Sequence, residues 1–298
     1  MTRIFAVKLT IATAVRNAVA EGRRSELVRC IESVAKLEMP HEHLVYDGAS
    51  TDGTVELLRE LEAKAPGLIV VSEPDSGIYN ALNKGVRDAK GEWFYVLGCD
   101  DYLVAPNSLD ALLTSAPDDV VMYASPVQME RGVRKIHLHK MFDRTPYCHQ
   151  GVVVRTNVMR VHGGFDERFR ICADFDFLLK VHLSSANIQY LKFPFAFFSA
   201  GGTSDDIQKT LADDDRVLKE RFHANTADIA CLRQNGFMPA GVWFRFLFHS
   251  DYALRYAARH NAKQWMRTKR VIRFALWPLV LVRRAILAVK KKRTNLAR

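Results

Sequence analysis

The chain has 298 residues, 48% of them hydrophobic and 10% aromatic, which excludes a wholly disordered polymer and suffices for one large α/β domain or a domain with an extension. The net charge of +10 is unevenly placed: Tyr252 to Arg298 holds fourteen Lys and Arg and no Asp or Glu, while the preceding 251 residues carry 29 basic and 33 acidic groups. A slightly acidic body thus bears a basic tail suited to a polyanionic surface.

In chain order, β-rich apolar segments at 9 to 15, 43 to 47, 68 to 73 and 93 to 98 alternate with helix-period segments at 25 to 37, 54 to 65 and 78 to 89. This βαβαβαβ order predicts a mostly parallel sheet with helices on both faces, whose ligands bind beyond the carboxyl ends of the strands. The polar residues that stand out fall at those ends: Asn17, Asp47, Asp75, and the pair Asp100 and Asp101. In "DGASTDGT" Asp47 is placed to accept from a base edge or a ribose hydroxyl, whereas Asp52 and Thr54 are placed to cap the following helix. Taken alone, the stretch also fits an ordinary strand-to-helix turn. Adjacent carboxylates such as Asp100 and Asp101 repel, so their pairing at a strand end points to a compensating hard divalent cation; a solvated turn is the plain alternative. Downstream, "CADFDFLLKV" puts Asp174 and Asp176 at the start of an apparent helix, either for proton transfer or simply to suit the helix dipole. His41 and His43 read as solvent or strand-edge residues. No His/Cys spacing suggests zinc, and no GxSxG elbow is present.

Four stretches, "DGASTDGT", "EPDSGIYNALNKG", "GEWFYVLGCDD" and "FDERFRICADFDFLLKV", occur in the order and spacing that resemble inverting family 2 glycosyltransferases of the GT-A fold. The resemblance covers about residues 9 to 205. "CHQGVVVR" and "AGGTS" make the chain look most like the bacterial colanic-acid and O-antigen enzymes. It implies a GT-A fold, with a Rossmann-like, mostly parallel sheet between helices. It implies a nucleotide-sugar donor, taken as a UDP-sugar, held by "IATAVRN" (with Thr13 and Asn17), Asp47, Asp75, Lys84 and Asp100. It also implies Mn²⁺ or Mg²⁺ on Asp101 and Asp100, and Asp174 as the catalytic base. Gly98 and Cys99 depart from the commoner acidic form. His149, Gln150 and Asp176 are placed toward the acceptor or diphosphate, and "GGTS" at 201 to 204 as a flap or a plain loop.

These expectations divide the chain into a GT-A domain at 1 to 205, with a donor half to about 103 and an acceptor half beyond it, and a helical extension at 206 to 298. Helices are expected at 205 to 222, 239 to 248 and 251 to 269. The stretch 271 to 293 has an uninterrupted apolar run, Phe274 to Val282, that is too short to span a bilayer. Trp and Phe among Lys and Arg suit an anionic membrane surface, so a lipid-linked oligosaccharide acceptor and a peripheral place on the inner face of the cytoplasmic membrane are expected. A core-packed extension is the bland alternative. Five cysteines without a CxxC pair, and an N-terminus broken by Lys8 and Arg16, read as a reducing cytoplasm without a cleaved signal peptide. A nucleotidyltransferase and a non-enzymatic membrane or polyanion binder stand as other classes; no nucleic-acid motif is present.

Overall fold

The computed structural model describes residues 7–137, 147–184, 186–199, 207–222 and 224–235. The chain divides into two compact units, Met1–Leu179 with Ala186–Val217, and Lys180–Ser185 with Leu218–Arg298. The elements of the first half are β1 (Leu9–Val15), α1 (Arg24–Val34), β2 (His41–Asp47), α2 (Thr54–Glu62), β3 (Leu68–Ser72), α3 (Ile78–Asp88), β4 (Trp93–Val96), β5 (Tyr102–Leu103) and α4 (Pro106–Thr114). There follow β6 (Val120–Ala124), β7 (Val127–Met129), β8 (Gly132–Arg134), a 3₁₀ turn at His149–Gly151, β9 (Val152–Arg155), α5 (Thr156–Val161) and α6 (Ala173–Leu183). The last described elements are β10 (Asn187–Tyr190), β11 (Ala196–Phe197), α7 (Ile207–Phe222) and α8 (Thr226–Asn235).

The main sheet has the order β10-β6-β9-β4-β1-β2-β3. Its β4-β1-β2-β3 half is parallel, as the alternation demands, and so is the pair β10 and β6. The exception is β9, which runs antiparallel to both β4 and β6. A second small sheet, β5-β11-β7-β8, is built from strands of two or three residues.

The period-2 rule sorts the side chains of β2. Val45 packs with Leu27, Ile31, Leu57 and Leu58 of α1 and α2, while Leu44 and Tyr46 turn to Ala81 of α3. Burying each large apolar side chain contributes about 1.5–3 kcal/mol relative to leaving it in water. Trp93, Tyr95, Leu9 and Ile11, all fully buried, anchor the centre of the sheet. An interior parallel strand is covered on both faces, and that corrects the placing of His43. It is buried, its Nε2 is 2.9 Å from Thr13 Oγ1, and burial first, then the charge of His41, lowers its pKa to about 3. All five cysteines are free. The expected helices at 239 to 248, 251 to 269 and 271 to 293 and the "GGTS" segment lie outside the described residues; α8 is an element the sequence reading did not foresee.

Candidate active site

At the carboxyl ends of β1, β2 and β3 the polar groups are bound to one another. Asp47 is buried; Oδ2 accepts from Ser50 N at 2.9 Å and Ser72 Oγ at 2.7 Å, and Oδ1 accepts from Ser50 Oγ. Three of its four lone pairs therefore hold the loop. Asn17 takes a left-handed backbone at φ 50, which Asn tolerates, and its Oδ1 accepts from Thr51 N at 3.1 Å. Thr13 is fully buried and donates to Leu97 O at 2.8 Å, so it ties β1 to the end of β4 and does not line the crevice. Asp52 accepts from Ala20 N at 2.6 Å and from Thr54 N at 3.1 Å, the structural part foreseen for it, while the Thr54 hydroxyl accepts from Val19 N. Lys84 is held by Glu73 at 2.7 Å and by Pro74 O at 3.1 Å.

Asp75 keeps one oxygen open. Its Oδ1 accepts from Gly77 N at 2.9 Å, while Oδ2 lies against Gly48, where an added Cβ would approach it to 2.7 Å. Exposed Arg16 brings its Cδ within 3.4 Å of the same point. An acceptor and a cation thus flank a glycine surface that lets a flat group approach the backbone.

The next strand end carries the paired carboxylates. Asp100 Oδ2 is bonded to Arg23 Nη1 at 2.6 Å. Asp101 Oδ1 accepts from Ser199 N at 2.8 Å, and the Ser199 hydroxyl donates to Asp100 O at 2.6 Å. Among the described residues Asp101 Oδ2 and Gln150 Oε1 are buried without a hydrogen bond of good geometry, although the Gln150 side chain lies close enough to Asp101 to favour its charged form. Burial first, and the charge of Asp100 second, push the Asp101 carboxyl up to about 6, against the opposing pull of the Ser199 amide, His149 and the Gln150 side chain. An unpaired buried carboxylate oxygen costs about 1–3 kcal/mol or more, and a divalent cation is the partner that relieves it, so these residues fit the expected metal. Gly98 belongs to this arrangement, because a Cβ there would lie 2.4 Å from Asp101 Oδ2. Among the described residues no group of three or more His, Cys, Asp or Glu is gathered to hold a metal ion alone.

Opposite the pair stands the start of α6. Asp174 Oδ2 is 3.0 Å from His149 Nδ1; Oδ1 accepts from Phe175 N at 2.8 Å and from Tyr79 OH at 3.2 Å. Burial opposes ionisation of Asp174, but the hydrogen bond and charge of His149, the Phe175 amide and the Tyr79 hydroxyl outweigh it and hold the carboxyl below its usual range. Burial also opposes the charged form of His149, and the Asp174 carboxylate more than offsets it, raising that imidazole. Tyr79 donates to Ile171 O as well, and Asp213 of α7 accepts from Ile171 N at 2.8 Å and Cys172 N at 3.0 Å, so the start of α6 is fixed from two sides. Asp176, two residues on, is fully buried and turned away from Asp174, which removes it from the crevice. The electrostatic influence of His149 on Asp101 joins the two groups of carboxylates in one site.

Of the residues expected at the site, Asp100, Asp101, His149, Gln150 and Asp174 come together, while Asp75 stands with Gly48 and Arg16 at the ends of β2 and β3. Arg16, Arg23, Tyr79 and Ser199 were missed. Tyr79 lay inside the quoted "DSGIYNALNKG", and its signal was an aromatic hydroxyl in the first turn of a helix.

This crevice at the carboxyl edge of a mostly parallel α/β sheet, with paired carboxylates at the end of the central strands, is the GT-A arrangement of a glycosyltransferase. Solved structures share the fold. TarS of S. aureus in complex with UDP-GlcNAc aligns with a TM-score of 0.57 at 17% identity, covering 83% of this chain and 80% of that one. The mannosyltransferase PcManGT of Pyrobaculum calidifontis, with GDP-Man and Mn²⁺, aligns with a TM-score of 0.54 at 16% identity, covering 84% and 86%. The profile of glycosyl transferase family 2 matches residues 10–167, more than half of the sequence, and the chain belongs to that family. A PGL/p-HBAD biosynthesis glycosyltransferase of Mycobacterium tuberculosis is 28% identical over 192 residues, covering 61% of this chain and 75% of that protein. Chondroitin synthase of Escherichia coli is 25% identical over 167 residues, 52% of this chain and 24% of the synthase. Family membership sets aside the nucleotidyltransferase and the non-enzymatic binder. Among the described residues no helix is long and apolar enough to cross a membrane.

Proposed function

We propose that the protein is an inverting, metal-dependent glycosyltransferase that moves a sugar from a nucleotide-diphosphate sugar, a UDP-sugar, to a lipid-linked glycan in cell-surface polysaccharide assembly of the colanic-acid or O-antigen kind. The observation that supports this reading is the buried Asp101 carboxylate, whose Oδ2 lacks a well-formed hydrogen bond among the described residues, beside Asp100 and within electrostatic reach of the His149–Asp174 pair. Asp75 and Arg16 contact the nucleotide, while Asp47, Asn17 and Lys84 shape its bed. Asp101, with Asp100 behind it, holds Mn²⁺ or Mg²⁺, which when bound neutralises charge growing on the departing diphosphate. Asp174 is the anionic member of the pair that receives the acceptor's proton. The carboxylates on the two sides serve opposite ends of one displacement, which is what inversion requires.

On this reading residues 1 to 205 form the catalytic domain, donor half first. Residues 206 to 298 form the extension whose tail at 271 to 293 rests on an anionic cytoplasmic membrane face, each Lys or Arg near it contributing roughly 1 kcal/mol, reduced by salt. The test is a panel of UDP-, GDP- and dTDP-sugars with Mn²⁺, read by thermal stabilisation and slow donor hydrolysis. One nucleotide class should both stabilise and be consumed, only with metal present, and Asp101→Asn should abolish both effects. A panel without any response would sink the reading.

A further inference from the structure

We propose that the side-chain carbonyl of Gln150 accepts a hydrogen bond from one O–H or N–H group of the sugar being transferred, so that Gln150 helps to determine which donor sugar is used. The inference rests on the glycosyltransferase reading and deepens it. The donor's sugar must carry a hydrogen-bond donor at the ring position that faces this oxygen.

Gln150 is 5% exposed, and its Oε1 is buried without a hydrogen bond of good geometry among the described residues. The two ends of its amide are in different conditions. The side chain favours the charged form of Asp101, which only the NH₂ end does, since a carbonyl has no hydrogen to give a carboxylate. With its hydrogens drawn to Asp101, the amide offers a ligand an acceptor alone. The main chain around it is held firmly: Tyr95 OH donates to Gln150 O at 2.8 Å, Ser125 N to Gly151 O at 2.7 Å, and Gly151 N to Cys148 O at 3.0 Å. The terminal amide torsion is soft, so Oε1 can turn to a partner without moving that backbone.

Position identifies the partner. On one side Gln150 acts on Asp101, assigned above to the ion on the departing diphosphate. On the other it follows His149, whose Nδ1 is 3.0 Å from Oδ2 of Asp174, the carboxylate assigned to the acceptor's proton. In a displacement at the anomeric carbon, the group between the leaving diphosphate and the incoming hydroxyl is the transferred sugar. A buried acceptor without a donor is costly, and the sugar relieves that cost only if it brings the hydrogen. Sites of this kind reject an analogue lacking the group by as much as about 10⁴- to 10⁵-fold, whereas a hydrophobic contact discriminates by about 10- to 200-fold. A fluorine, an ether or a bare C–H at that position donates nothing and leaves Oε1 unpaired.

The test uses the full chain, Mn²⁺ and whichever nucleotide sugar the wild-type protein hydrolyses, set beside analogues deoxygenated or fluorinated at one sugar position at a time. At one position both analogues should lose about 10²-fold or more in kcat/KM. Gln150→Met, which keeps the length of the side chain but has no carbonyl, should lower kcat/KM for the parent donor by a similar factor. It should also shrink the gap between parent and analogues at that position to within about threefold, while penalties elsewhere stay as in the wild type. Effects on the sugar's own reactivity are common to both proteins and cancel in this comparison. A gap that survives in Gln150→Met overturns the proposal, and so does a variant that loses Mn²⁺ affinity in calorimetry with its discrimination intact, which would make Gln150 a metal ligand. A wild-type panel in which no singly deoxygenated donor loses about tenfold overturns it as well, without any variant having to fold. If the wild type consumes no nucleotide sugar, the glycosyltransferase reading itself falls; consumption without a position-specific gap removes only the role of Gln150.

Discussion

The two sides of the crevice treat hydrogen bonds in opposite ways. Around β1, β2 and β3, Asp47, Asn17, Ser50, Asp52 and Ser72 satisfy one another and leave little for a ligand. Around β4 and α6, Asp101 Oδ2 and Gln150 Oε1 are buried without a well-formed hydrogen bond among the described residues, and His149 is engaged with Asp174 through Nδ1. A saturated network stabilises the fold, whereas one left incomplete destabilises it and persists where a ligand completes it. Carboxylates alike in sequence thus serve opposite ends.

The contrast is tested first where the effect should be largest. Asp174→Asn should lower turnover about 10²- to 10⁴-fold while leaving donor affinity, followed by calorimetry, nearly unchanged. Parallel losses in affinity and turnover would place Asp174 on the donor side instead. Asp47→Ala, on the saturated side, strips the acceptor from Ser50 and Ser72 and should lower the unfolding free energy by about 2–4 kcal/mol in urea titrations, whether or not nucleotide is present. Unchanged stability would show that the network is dispensable.

Asp101→Asn should move stability the other way. Burial raises the folded carboxyl to about 6, above the ordinary aspartate value of 3.8, so its contribution to stability is full below the unfolded value and is lost as pH rises through about 6. At pH 7 without metal the substitution should therefore stabilise by up to about 2–3 kcal/mol, and below pH 4 the gain should vanish. A gain independent of pH would assign it to packing. The smallest effect is expected at Ala49, which takes φ 55 in the saturated loop: Ala49→Gly should change stability by no more than about 1 kcal/mol, in the favourable direction.

The donor half of the fold was legible because β1 to β4 and α1 to α3 combine clear periodicity with punctuating Gly, Asp and Pro. Asp100, Asp101 and Asp174 were legible as chemistry because clustered carboxylates at element ends are costly without a purpose. The small sheet was not, since strands such as Ala196–Phe197 are too short to show a period and exist through pairing with Tyr102–Leu103. His43 was misplaced because its polarity suggests an edge, while its surroundings are set by the two strands that flank β2. Which of Asp47 and Asp75 remains open depends on distant partners, Ser72 for one and Gly48 for the other, and local spacing does not encode them.

The reversed direction of β9 has a bearing on how such an enzyme diversifies. In an all-parallel sheet every segment at the carboxyl edge is leaving a strand, bound by the helical crossover that follows. Because β9 runs backwards beside β4, the segment arriving at it, His149–Gly151, reaches that edge from outside the βα succession. On the proposed reading, the side that takes the acceptor's proton is therefore attached through a different kind of joint from the nucleotide side. On that reading, changes in the segment before β9 would alter the acceptor side and leave the βα succession proposed for the donor untouched.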